Sequence, residues 1–358
     1  MSVCIIAEAG VNHNGSLQRA LELIDAAADA GADVVKFQTF NAASLVNQQA
    51  PMADYQKQNI GVEQSQFEML KALELPLDAY AQLQRHCQAR GIEFMSSPFD
   101  IGSLKLLVQE LHCQRIKLAS GEITNGPLLL AAARCGAELI LSTGMATTDE
   151  ISDALAVLAW GIGEPERDPD SLQQCHAALG DPALLETLRQ RLILLHCTSQ
   201  YPAPVTEVNL KAMQTMAQSW GIPVGYSDHT EGIVVPIAAA ALGACVIEKH
   251  FTLDRSLPGP DHKASLEPDE LAQMVAAIRA TSAALGSGVK APSPVEANTR
   301  NIARKSLQAA TAIQPGERFD QANLIVRRPG TGISPMHYWD YLQRSANRTY
   351  QVGDLLDE

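Results

Sequence analysis

The 358-residue sequence predicts a (β/α)8 barrel followed by a small second domain. Three observations lead there. Eight short apolar runs alternate with helical stretches, and eight alternating units favour a closed barrel over an open doubly wound sheet. The passage from helix to strand recurs as one unit: helix, glycine, one small or aliphatic residue, then a β-rich run. Residues with useful chemistry gather at the strands' C-terminal ends, where the active sites of such barrels lie.

The eight strands are expected near residues 3–7, 33–37, 92–96, 115–118, 138–142, 191–196, 223–226 and 245–249. Each is the short apolar run of a strand buried on both faces. The recurring glycines are Gly31, Gly91, Gly136, Gly221 and Gly243, placed where a helix ends in a left-handed residue. In the first helix, Leu17, Ala20, Leu21, Ile24, Ala27 and Ala28 form an apolar stripe, with Ser16 as N-cap. Thr147-Thr-Asp-Glu150 reads as a capping box opening a later helix. Two insertions interrupt the pattern. Residues 41–70 are polar and Gln-rich and are expected as a loop over the barrel mouth. Residues 161–190 carry Pro and Asp clusters and are expected as a helical excursion outside. The barrel domain is assigned to 1–285 and a Gly/Ser/Pro linker to 286–297. Residues 298–358 carry short β-like runs, a turn at Gln314-Pro-Gly-Glu317 and Arg327-Arg-Pro-Gly-Thr-Gly332. So short a segment makes a marginal domain, expected to lean on the barrel or on a second subunit.

Composition narrows the function. No run of about eighteen apolar residues occurs, so no membrane span is expected. The opening MSVCIIAEAGVNHNG lacks the basic region of a signal peptide. The seven cysteines form no CxxC pair and no zinc-like spacing, and most are expected as small buried hydrophobes in a reducing cytoplasm. A net charge of -13 without a basic run argues against a nucleic-acid partner. An anionic substrate needs lysines and arginines gathered in one pocket against that field.

Strand by strand, the expected rim carries Glu8; Lys36 and Gln38; Ser96 and Ser97; Lys117 and Ser120; Ser142 and Thr143; His196, Thr198, Ser199 and Tyr201; Ser227, Asp228 and His229; and Glu248, Lys249 and His250. Hydroxyls, lysines and loop amides from several strands suit a phosphate or carboxylate. His229 and His250 end consecutive strands and are expected side by side, with Asp228 and Glu248 next to them, close enough to share a divalent ion. Two nitrogen ligands among many oxygens fit manganese or magnesium better than a closed zinc site. Plainer readings stand beside these. Lys36 and Lys117 can reach solvent or pair with a carboxylate. His196 reads as a packed or hydrogen-bonded core residue rather than a ligand. Asn12-His-Asn-Gly15 can be only the turn that starts the first helix, which leaves His13 open. Pro258-Gly-Pro-Asp261 is a turn that Asp261 can merely cap.

Ten stretches, in order and across almost the whole chain, carry a resemblance: IAEAGVNHNG (6–15), VVKFQTF (34–40), SSPFD (96–100), IKLASGEITN (116–125), LSTGMAT (141–147), LHCTSQYPAP (195–204), YSDHT (226–230), EKHFTLD (248–254), LPGPDHKAS (257–265) and RRPGTGISP (327–335). In these the chain resembles the bacterial sialic acid synthases. The resemblance implies a barrel followed by an antifreeze-like (SAF) domain, in a domain-swapped homodimer. It implies condensation of phosphoenolpyruvate with an N-acetylated hexose, N-acetylmannosamine, to give N-acetylneuraminate and phosphate. The alternative acceptor is 2,4-diacetamido-2,4,6-trideoxymannose, on the way to legionaminic acid, whose synthases share most of these motifs and a similar GEITN segment.

Carried onto matching positions, the resemblance makes Lys36, Ser97, Lys117, Ser120, Ser142, Ser199 and Ser227 the phosphoenolpyruvate contacts. Ser97 and Ser199 stand where relatives often carry Thr and Asn. His229 and His250 become ligands of a divalent metal, manganese first, with magnesium or cobalt as alternatives. Glu8, Tyr201 and Asp261 hold the acceptor, and Glu8, Asp261 and Glu248 are the catalytic candidates. Arg328 reaches the sugar's acyl group from the partner subunit. Two other classes stay open. A metal-dependent aldolase or sugar hydrolase can use the same barrel but needs no phosphate-binding lysines. A non-catalytic carbohydrate- or ice-binding protein is the other, and residues 295–358 lack the flat, Thr-rich face of an ice-binder.

Overall fold

Eight strands make one parallel sheet: β1 (Cys4–Gly10), β2 (Val34–Thr39), β3 (Glu93–Pro98), β4 (Arg115–Leu118), β5 (Glu138–Ser142), β6 (Leu192–Cys197), β7 (Val224–Asp228) and β8 (Val246–His250). Their order is β3-β2-β1-β8-β7-β6-β5-β4, and β3 and β4, its two ends, lie against each other and close the barrel. The computed structural model describes residues 3–52, 57 and 64–357. Within it the chain forms two units, Met1–Gly286 and Ser287–Glu358. All eight expected strands are present, and several run further than their apolar stretch. β1 continues through Glu8, which pairs in register with Lys36 on one side and His250 on the other. The ladder persists there because these polar side chains face the barrel interior.

Alternation along each strand divides the core in two. Inward-facing Ile6, Val34, Met95, Ile140, Leu195 and Val246 form a dry layer across the barrel. Outward-facing residues such as Ile5, Val35, Leu118 and Ile247 pack against the surrounding helices. The helix Leu17–Asp29 buries Ala20, Leu23, Ile24 and Ala27, with Ser16 capping it by accepting from the Arg19 amide. Its buried stripe is centred closer to Leu23 than the sequence suggests, and Leu17, Leu21 and Ala28 are its half-buried edges. The five recurring glycines all have φ between 67° (Gly221) and 99° (Gly243), the left-handed turn that feeds each helix into the next strand. The capping box at Thr147 and Glu150 is formed.

The 161–190 segment holds the helices Leu172–Leu179 and Pro182–Arg191, the first packed on the helix Thr148–Gly163 and the second leading into β6. Of the 41–70 insertion, residues 53–56 and 58–63 lie outside the described residues. Its described parts include the helices Ala42–Leu45 and Gln66–Leu73. Met52, Met69 and Leu73 cluster there with Val11 and Phe40.

The second unit has its own core of Leu307, Ile313, Phe319, Leu324, Tyr341, Tyr350 and Leu356, beside an antiparallel pair, β9 (Ser306–Ala309) and β10 (Leu324–Arg327). Arg328 is exposed immediately after β10. Among the described residues, no helix is long and apolar enough to cross a membrane.

Candidate active site

Above the dry layer, the same strands turn charged side chains inward. Glu8, Lys36, Lys117 and Glu248 come from β1, β2, β4 and β8, and all four are buried. Lys36 Nζ lies 2.7 Å from Glu8 Oε2 and 3.7 Å from Glu248 Oε2, and Lys117 Nζ lies 3.3 Å from Glu248 Oε1. Lys36 also donates to Ser97 Oγ at 3.2 Å, Gln38 donates to Glu8 at 3.2 Å, and Ser227 donates to Glu248 at 2.9 Å. No charge in this chain of four is left alone, as burial requires.

The two carboxylates differ in acid strength. Burial pushes Glu8 up to about 7 against the pull of Lys36, and the charge of Glu248 adds to the rise. Burial acts on Glu248 in the same sense, but Lys117 and Lys36 hold it down at about 2. One carboxyl can therefore carry a proton near neutral pH while the other stays ionised, the division of labour of an acid–base site. Burial lowers Lys117, whereas on Lys36 Glu248 and Glu8 outweigh burial and raise it.

A cavity of about 830 Å³ opens over this floor. Its lining includes Ser97, Ser120, Ser142, Ser199, Tyr201, Ser227, His229, His250 and Asp261 beside the four charges. The structure thus gathers in one place every barrel residue that the sequence nominates for phosphoenolpyruvate, acceptor or metal. Ser120 Oγ accepts from the Gly144 amide at 3.0 Å and lies 3.1 Å from Cys197 Sγ. Ser142 Oγ and His250 Nδ1 are buried without a hydrogen-bond partner among the described residues, as atoms awaiting a ligand are. One side of the cavity is apolar: Val11, Phe40, Leu45, Leu70, Leu73 and Phe99. Sequence reasoning missed this wall. Its one signal is the set of Leu, Met and Phe residues scattered through the polar 41–70 insertion.

The histidine rings have centroids 5.5 Å apart, and the Tyr201 ring lies 4.1 Å from that of His229, tilted by 35°. Burial holds His229 down at about 4 and His250 well below its ordinary value, so both are neutral. His229 Nδ1 donates to the Thr198 carbonyl at 2.6 Å, which fixes the tautomer and leaves the Nε2 lone pair available. Two neutral imidazoles with a lone pair presented to an oxygen-rich cavity fit a divalent ion. Among the described residues, no group of three or more His, Cys, Asp or Glu side chains converges as ligands. An ion held here keeps most of its positions for water or substrate.

Several rim expectations need correction. The Asp228 side chain does not join the histidines at the cavity. It follows inward-facing Ser227 on β7 and so points outward, where it binds Lys249 at 2.5 Å. Lys249 leaves the rim for the same reason. Ser96 pairs with Thr39 Oγ1 at 2.6 Å, away from the cavity, while Ser97 lines it. His196 donates to the Val208 carbonyl at 2.7 Å and is a hydrogen-bonded packing residue. His13 accepts from the Gly15 amide at 3.0 Å and serves the turn. Asp261 does not cap its turn through its side chain, although it occupies the N-cap position. Its buried carboxyl faces the cavity instead.

A closed parallel barrel whose rim buries two lysines on either side of one carboxylate, with a second carboxylate on Lys36 and two neutral imidazoles in the same cavity, has the build of an enzyme's active site. Residues 23–290 match the NeuB family model, and the chain belongs to that family. It is 46% identical to an N,N'-diacetyllegionaminic acid synthase of Campylobacter jejuni, over 99% of this chain and 98% of that protein. It is 47% identical to a protein of the same name from Legionella pneumophila, over 99% of this chain and 94% of that one. Among solved structures it resembles an N-acetylneuraminic acid synthetase of Leptospira borgpetersenii, at 35% identity and a TM-score of 0.67, covering 84% of this chain and 90% of that one.

Asp261 offers a test of the site. Burial alone pushes its carboxyl up from 3.8 to about 6. A raised carboxyl favours the fold fully below its unfolded value, and that advantage is lost as pH rises through about 6. Asp261→Asn is therefore expected to be more stable than the parent at pH 8, by on the order of 3 kcal/mol at most. At pH 4 the gap should nearly vanish, and the variant should lose activity. Urea unfolding at the two pH values checks this, and an equal gap at both contradicts it.

Proposed function

We propose that this chain is an enzyme that condenses phosphoenolpyruvate with an N-acetylated hexose, giving a nine-carbon acidic sugar and phosphate. The observation that carries the reading is the buried Lys36–Glu248–Lys117 arrangement, two cations facing a cavity otherwise set in a strongly acidic chain. Of the two acceptors that the sequence resemblance implies, 2,4-diacetamido-2,4,6-trideoxymannose is favoured by two observations. The two relatives at 46% and 47% identity carry the name of legionaminic acid synthases. The apolar wall of Phe40, Leu70, Leu73 and Phe99 suits the methyl groups of a second acetamide and a deoxygenated C6. N-acetylmannosamine is the second acceptor, supported by 35% identity to the N-acetylneuraminic acid synthetase of Leptospira borgpetersenii.

In the proposed reaction, C3 of phosphoenolpyruvate forms a carbon–carbon bond to the aldehyde carbon of the open-chain sugar, whose oxygen gains a proton. Water adds at C2, the C2–O bond breaks, and phosphate leaves. Lys36 and Lys117 face the phosphate and carboxylate charges. Ser97, Ser120, Ser142, Ser199 and Ser227 supply hydroxyl contacts. Glu8, protonated near neutral pH, can give the proton that the aldehyde oxygen takes. Tyr201 and Asp261 orient the sugar. Glu248 stays ionised, contacts both lysines and aims them at the cavity. His229 and His250 would hold a divalent ion, manganese foremost and magnesium or cobalt otherwise, which when bound supplies Lewis-acid polarisation of a carbonyl oxygen. We assign residues 1–285 to catalysis and 298–358 to an SAF domain that delivers Arg328 to a partner's sugar in a domain-swapped homodimer. The free thiols support a cytoplasmic location.

Phosphate release from phosphoenolpyruvate, assayed with Mn2+ and each sugar in turn, tests the reading. Release is expected to depend on the sugar, with the higher kcat/KM for the diacetamido acceptor. No release with either sugar would overturn it. Lys117→Ala removes a charge-assisted contact worth about 1.5–3 kcal/mol. It should raise KM for phosphoenolpyruvate by about 10- to 150-fold with little effect on KM for the sugar. An unchanged KM in the folded variant would remove Lys117 from the phosphoenolpyruvate site.

A further inference from the structure

We propose that the buried Asp228–Lys249 ion pair, on the outer face of β7 and β8, is the positioning element that sets the spacing of His229 and His250 for a divalent ion. The inference rests on the metal reading above. Asp228 and Lys249 are both 0% exposed and are the last register partners of the β7–β8 ladder. His229 and His250 follow them directly. The side-chain bond thus takes over where the backbone ladder stops.

The pair is tied tightly to the loop that carries His229. Asp228 Oδ1 accepts from Tyr226 OH at 3.0 Å, from the Thr230 amide at 3.2 Å and from Thr230 Oγ1 at 3.0 Å. Asp228 Oδ2 accepts from Lys249 Nζ at 2.5 Å and from Thr230 Oγ1 at 3.1 Å. Lys249 donates a further bond to the Thr230 carbonyl. Both chain neighbours of His229 are therefore fastened to Lys249, the residue before His250. Stability alone is a weak reason for such a pair. Its desolvation cost offsets most of its attraction, and apolar residues of similar volume often replace a buried pair without loss. Fixed geometry between two strand ends is what an apolar replacement cannot reproduce. Groups behind metal ligands typically affect metal affinity about 10- to 100-fold.

The test uses the full-length protein and Mn2+ alone, with no substrate, followed by the electron paramagnetic resonance signal of free Mn2+. The double variant Asp228→Leu/Lys249→Met replaces both charges with apolar groups. It should melt within a few degrees of the parent while its Kd for Mn2+ rises about 10- to 100-fold. Thr230→Val keeps both charges and removes the hydroxyl bonds to Asp228, and a smaller rise is expected. A folded double variant that binds Mn2+ as the parent does would overturn the proposal. If the double variant does not fold, an unchanged Kd in Thr230→Val would overturn it. A parent protein that binds no Mn2+ would remove the metal reading and this inference together, whereas the condensation itself is judged by phosphate release.

Discussion

Glu248 lies between Lys36 and Lys117, and the rest of the site depends on that contact. Two lysines cannot be buried in a barrel interior without compensating charge. Glu248 supplies it for both, and Glu8 supplies a second partner for Lys36. The consequence runs downward into the fold. The polar layer rests on the dry layer of Ile6, Met95, Leu195 and Val246, so the barrel is a packed core below and a charged cavity above. It also runs outward, because strands that carry inward charges must keep their backbone ladders past the end of their apolar runs.

The same arrangement separates the two carboxylates by role. Glu248 bears the attraction of two cations and stays ionised. Glu8 shares one cation, lies near the charge of Glu248 and is pushed up by burial. A carboxyl that can hold a proton near neutral pH and a fixed anion therefore stand on neighbouring strands, β1 and β8, without any difference in residue type. The cavity shows a parallel division. Its floor is charged and its side, built by Val11, Phe40, Leu45, Leu70, Leu73 and Phe99, is apolar. A ligand with anionic groups at one end and methyl groups at the other matches that surface.

Much of this was legible in the sequence. The eight strands, the left-handed helix-end glycines and the capping box at Thr147 each leave a local signature. The candidate residues at strand ends were legible because a parallel barrel gathers strand C-termini at one rim. What was not legible depends on which way a side chain points. Asp228 and Ser96 stand one residue from the positions that face the cavity, and alternation takes them to the other side. The pairing of Lys117 on β4 with Glu248 on β8 spans the barrel, and no local pattern encodes it. Asp261 reads as a turn residue in isolation, and only the family resemblance pointed to the cavity. The apolar wall was hidden because its residues come from separate stretches, Val11, Phe40 and Phe99 around the barrel mouth and Leu45 and Leu70 within a polar insertion.

Lys36 and Lys117 meet at Glu248 on the cavity floor, and under the proposed function they bind phosphoenolpyruvate. A crystal structure of the protein with Mn2+ and phosphoenolpyruvate tests it most directly. The ligand is expected on the cavity floor, with phosphate or carboxylate oxygens within hydrogen-bond distance of both Nζ atoms and of Ser142 Oγ. Phosphoenolpyruvate bound elsewhere, with both lysines still contacting only Glu8 and Glu248, would contradict it.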